Sequence, residues 1–174
     1  MEQDSKLIGI MALVAVALQL IIAPNIQIMG VMPDFLVSFV LVVCLIRPLQ
    51  NHYVLAFVMG MLSDLMGSGV VGTMALCLIL SSFFMRFVAE AIGSDNPVSA
   101  FAILAGFSLL VLLAYSFFLS GAGLLQLPAG LVFYTLPCAV YDALLSIIWF
   151  VVGNKILGAH HSGPTISTMP NLRF

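Results

Sequence analysis

Charge is what this chain lacks most. Its 174 residues hold five Lys and Arg and seven Asp and Glu, 7% in all, against 63% hydrophobic residues and a mean hydropathy of +1.23. A soluble domain is roughly 25% charged, and so few charged side chains cannot clothe a fold of this size in water. Five cations at net charge −2 also exclude nucleic acid as a partner, because they cannot neutralise a row of phosphates. Cysteine is scarce too. Cys44, Cys77 and Cys138 are odd in number, far apart and set in apolar runs, which excludes a disulfide framework and suits small packing residues. His52, His160 and His161 all lie outside the apolar core runs and no H-E-x-x-H occurs, so an intramembrane zinc protease is excluded. A G-x-S-x-G elbow and a Lys-bearing phosphate loop are missing as well. Tyr141-Asp142 supplies half of an intramembrane aspartyl protease signature. Asp64, however, follows Met61-Leu62-Ser63 instead of Gly-x-Gly. Catalysis, metal and cofactor are therefore not expected, and the lack of an internal repeat argues against a transporter built from duplicated halves.

What remains is an all-α integral membrane protein. About 20 residues cross a hydrocarbon core of roughly 30 Å, and six apolar stretches are present at about 7–23, 31–46, 53–66, 73–91, 101–119 and 130–152. Together they form one six-helix domain over 1–152, with 153–174 expected as a flexible tail. Read as one helix, 53–91 would run ~58 Å, nearly twice the hydrocarbon thickness; Gly67-Ser68-Gly69 and Gly72 break it into a helical hairpin. With six spans and a cytoplasmic N-terminus, Lys6, Arg47, Arg86, Lys155 and Arg173 all fall on the cytoplasmic side. Those are all the basic residues, so both termini are placed in the cytoplasm. Trp149, the single tryptophan, is expected near the inner interface as an anchor.

Carboxylates inside a bilayer are costly and stand out as candidates. Asp64 lies shortly before the glycine hairpin, where the amide-rich start of the next helix favours an anion. It either pins that hairpin or binds a proton or ligand. Asp142, mid-way along the sixth stretch, has no basic residue at its depth, so it must face the bundle interior, be protonated, or meet a polar partner such as Ser108, Ser116 or Tyr115 or a side chain of a partner protein. Structural glue and ligand contact both fit it. Asp34 stands at the mouth of the second stretch. Ala56, Gly60 and Asp64 share one face of the third helix, and Ala102–Gly106 and Ala139–Ala143 repeat the small-residue spacing. Such a face suits packing within the bundle or a partner's helix.

The residues resemble a known family. Met32-Pro33-Asp34-Phe35-Leu36 is similar to the entry of the second helix in the rod shape-determining MreD family. The run from Ala56 through Phe57 and Gly60 to Ser63-Asp64-Leu65 is similar to its central motif. Ser68-Gly69-Val70-Val71-Gly72 looks like its glycine hairpin. The resemblance implies a non-enzymatic scaffold of the cell-elongation machinery in the bacterial inner membrane. Its implied partner is MreC, with MreB, RodA and the elongation transpeptidase reached directly or through it, and it helps to position peptidoglycan synthesis. The implied bundle is similar to the S components of energy-coupling transporters, so a small-molecule or lipid-binding subunit is the competing expectation. The first helix carries Ala12, Ala15, Ala17 and Ala23 without the Ala-x-x-x-Ala pattern of many S components, and the tail is less basic than in many MreD proteins.

The topology has a direct check. A cysteine placed at position 70 of a cysteine-free background should react with a membrane-impermeant thiol reagent from the outer face. Reaction only after the membrane is opened would reverse the arrangement.

Overall fold

The computed structural model describes residues 2–27, 32–46, 52–67, 70–92, 97–119 and 135–158. Gly69, Arg47, Arg173, the paired His160-His161 and the expected start of the sixth span at 130–134 lie outside them. The regular elements among the described residues are all helices: α1 (Glu2–Ile21), a 3-10 turn (Ala23–Ile26), α2 (Phe35–Ile46), α3 (His52–Met66), α4 (Thr73–Ile92), α5 (Pro97–Leu119) and α6 (Leu136–Gly158).

The shortest helix is the centre. Every apolar residue of α2 from Phe35 to Val43 is buried, and Leu36, Val37, Phe39, Val40 and Leu41 are at 0% exposure. A helix that is apolar all round has no face to offer water and packs inside. Here α1, α3, α4, α5 and α6 all lie against it, while α3 packs on α4, α4 on α5 and α5 on α6. The other five helices show large apolar side chains outward, among them Leu13, Val54, Phe84, Phe117 and Ile148. A water-soluble bundle would put polar residues there.

Helix ends differ from the expected spans for local reasons. Helix α2 begins at Phe35 instead of 31, because Asp34 takes the capping position and Pro33 precedes it. Pro97 opens α5 and Pro137 is the second residue of α6, positions where a missing N–H costs nothing. Helix α1 starts earlier than expected, at Glu2. Helix α6 runs to Gly158, so the first six residues of the expected tail are helical; 159–174 are not described. Two helical stretches, Val98–Phe118 and Leu136–Ile156, are long and apolar enough to cross a membrane. Helices α2 and α3, with 12 and 15 residues, extend only ~18 and ~22 Å.

Two expectations for packing residues are corrected or narrowed. Trp149 is no interface anchor: it is 6% exposed and stands edge-on to Phe39 of α2, with ring centroids 5.1 Å apart. An indole so large buries more apolar area against the central helix than it could at a rim. The small face of α3 is occupied inside the chain by α4. A Cβ on Gly60 would collide with the Ala75 backbone, reaching 2.7 Å from its nitrogen, and Ala56 is completely buried. Gly106 faces outward instead, with nothing near its missing Cβ.

These two glycines make a matched pair of probes. Gly60→Val forces α3 and α4 apart, at about 1–3 kcal/mol for overpacking against rigid backbone. It should lower the melting temperature in detergent and the folded yield. Gly106→Ala should leave both unchanged.

Candidate functional site

At one end of the bundle the sequence concentrates backbone donors that need partners. A helix leaves its first N–H groups without intrahelical acceptors, and both α2 and α4 start here, inside the protein. Each start is answered by an aspartate.

At the α4 start, Asp64 reaches across the hairpin from α3. Its Oδ2 accepts the amides of Gly72 at 2.8 Å, Met74 at 3.0 Å and Ala75 at 3.4 Å. The remaining Thr73 amide donates to the Val70 carbonyl at 3.2 Å. Gly72 has φ +98, a left-handed conformation that side chains other than glycine rarely tolerate. That turn is what points successive amides at one carboxylate. Asp64 is 2% exposed.

At the α2 start, four chain segments converge. Asp34 caps its own helix: Oδ1 accepts the Leu36 amide at 2.9 Å and the Val37 amide at 3.2 Å. The Phe35 amide donates to Gln19 Oε1 of α1 at 2.7 Å, and Gln19 Nε2 donates back to the Pro33 carbonyl at 3.4 Å. The Asp34 amide itself donates to Asp142 Oδ1 of α6 at 2.9 Å. Ser63 of α3 donates its hydroxyl to Asp34 Oδ2 at 2.8 Å. Pro33 has no N–H, so the entry to α2 carries one donor fewer to satisfy. Cys138 of α6 completes the enclosure, donating its thiol to the Met32 carbonyl at 3.4 Å.

The two caps are adjacent through the chain. Ser63 serves the α2 cap and its neighbour Asp64 serves the α4 cap, so one turn of α3 ties both helix starts together. Chemically, the cluster is a set of acceptors matched to fixed backbone donors. One acceptor is left over: Asp142 Oδ2 is buried and has no hydrogen-bond partner among the described residues.

The sequence-named residues are distributed as follows. Pro33, Asp34, Asp64, Gly72 and Asp142 come together at this end. Gly60 and Ala56 sit lower on α3, against α4. Of the alternatives open to Asp142, the structure has it facing the bundle interior, completely buried. Its described partner is the Asp34 amide, whereas Ser116 shares a 2.9 Å hydrogen bond with Thr135 at the start of α6, and Ser108 donates to the Ala105 carbonyl of its own helix. A helix-start amide is a fixed donor and needs no side chain to be ordered, which is why it wins. Tyr115, next to Ser116, is half-buried. Sequence reasoning missed Gln19 and Ser63. The available signal was each one's polarity near the C-terminal end of a long apolar run.

A family model described as rod shape-determining protein MreD matches residues 5–157 of the chain. Comparison with curated proteins and with solved structures gives no significant match.

Substitutions at the two caps should separate by chemistry. Asp64→Ala strands three amides and should cost about 2–4 kcal/mol, read as a lower melting temperature in detergent. Asp64→Asn keeps an acceptor oxygen and should fall between Ala and wild type. Asp142→Asn should be nearly silent, because its oxygen still accepts the Asp34 amide, while Asp142→Leu should destabilise.

Proposed function

This chain belongs to the MreD family of rod shape-determining membrane proteins, and from that premise we propose that it is a non-enzymatic scaffold of the cell-elongation complex. It lies in the bacterial cytoplasmic membrane, crosses it six times and keeps both termini inside. The positions of Lys6, Arg47, Arg86, Lys155 and Arg173 in the sequence, all on the side that this arrangement assigns to the cytoplasm, support that topology. Short α2 and α3 fit it because α2 is enclosed by protein, where a helix need not match the lipid. Its task is to hold MreC and, with MreB, RodA and the elongation transpeptidase, to help position peptidoglycan synthesis.

One observation carries the scaffold reading over a ligand-binding one. The buried acids, the side chains best suited to grip a small molecule, are engaged with helix starts: Asp64 with α4, Asp34 with α2, and Asp142 with the Asp34 amide. A cleft does open between α5 and α6, but none of these three acids lines it. MreC docks on the outside of the bundle in this reading, because the small-residue face of α3 is filled by α4.

Affinity purification of the tagged chain from detergent-solubilised membranes should recover MreC, and depletion of the chain should turn rod-shaped cells round. If the purified protein instead carries a stoichiometric vitamin, recovers no MreC and leaves cell shape intact, the S-component reading replaces this one.

A further inference from the structure

At the end of the bundle opposite the carboxylates, α5 and α6 diverge around a cleft of about 470 Å³. Its walls include Phe101 and Leu104 of α5 and Ile147 and Val151 of α6, and Asn154 and Lys155 stand at one end. Ile147, Val151 and Lys155 succeed one another at four-residue spacing, so the α6 wall is a single stripe ~12 Å long that is apolar until its last turn. Phe101, Ile147 and Val151 are 40%, 41% and 57% exposed, which opens the trough sideways, toward whatever surrounds the bundle.

The polar end is what selects an occupant. Lys155 lies in the last turn of α6, where the helix carbonyls favour a cation, and no carboxylate pairs with it among the described residues. Asn154 beside it adds amide donors. A purely apolar guest, such as a helix face, would fill the trough and leave the ammonium without a counter-charge. A zwitterionic lipid would bring its own cation to the same place. An anionic lipid satisfies both halves at once, with a hydrocarbon chain along Phe101, Leu104, Ile147 and Val151 and a phosphate at the end. Basic pockets between membrane helices take anionic headgroups for this reason, and the volume falls within the range of small-molecule sites.

We propose that the α5–α6 cleft is a phospholipid site: it holds one acyl chain of an anionic phospholipid, whose phosphate is bound by Lys155 and Asn154. None of Asp34, Asp64 and Asp142 lines it. It ties one lipid to the seam between the two longest apolar helices.

Native mass spectrometry of the full-length protein tests this with defined lipids. Protein stripped of lipid and given equal amounts of phosphatidylglycerol and phosphatidylcholine should retain one phosphatidylglycerol, favoured about fivefold. Lys155→Gln, at an exposed position, should bring the two lipids to near parity. Val151→Trp, which fills the trough and leaves Lys155 in place, should lose the retained lipid while circular dichroism shows an unchanged helical content. Equal retention of both lipids by the wild type overturns the proposal, as does unchanged preference in Lys155→Gln. Retention of no lipid at all overturns it too. Should Val151→Trp not fold, the Lys155→Gln comparison decides alone.

Discussion

The structure depends on satisfying the amide donors at the start of a helix that begins inside protein. Helix α2 is only 12 residues long and is wrapped by five others. Its first turn therefore has no water to turn to, and an unsatisfied N–H in such a setting costs several kcal/mol. The chain answers with acceptors from α1 and α6 and from Asp34 itself, which takes two of the amides, while Ser63 of α3 donates its hydroxyl to the Asp34 carboxylate. Helix α4 repeats the solution with a single borrowed carboxylate. Charged groups that look out of place in so apolar a sequence are thus the ones that allow short helices to start where they do.

Much of this was legible in the residues. Composition alone set the solvent, and the Gly67–Gly72 run separated α3 from α4. Asp64 could be read against the start of α4 because both sit within one hairpin, where local sequence defines geometry. The partner of Asp142 could not be read. It is a backbone amide 108 residues away, and an amide has no sequence signature. Ser116 and Tyr115 were the visible polar neighbours, yet the side chain turned to α2. Trp149 misled in a similar way, since proximity to a helix end says nothing about which side of the helix faces the core. The Ala56–Gly60 spacing announced a close helix contact without saying whose. Ala75 supplied the answer only in three dimensions.

The division of the molecule into two ends follows from the same physics. One end gathers acids whose oxygens meet backbone donors, joined through Ser63 and Asp64 into a continuous tie across five helices. The other carries Lys155 beside an apolar cleft. For a member of a rod shape-determining family, a fixed interior beneath an apolar exterior is a sensible division of labour. The interior holds its geometry, and the outward faces of α1 and α3–α6 remain to meet other molecules.

The reach of the Asp34–Asp142 hydrogen bond has a consequence for biogenesis. Helix α2 is synthesised long before α6 exists, and the donor on Asp34 must wait for the last helix to arrive. Until then the nascent central segment has neither its final acceptor nor most of its walls. It must shelter against α1 and Gln19, in the translocation machinery or beside a chaperone, and the bundle locks only when the final helix slots home.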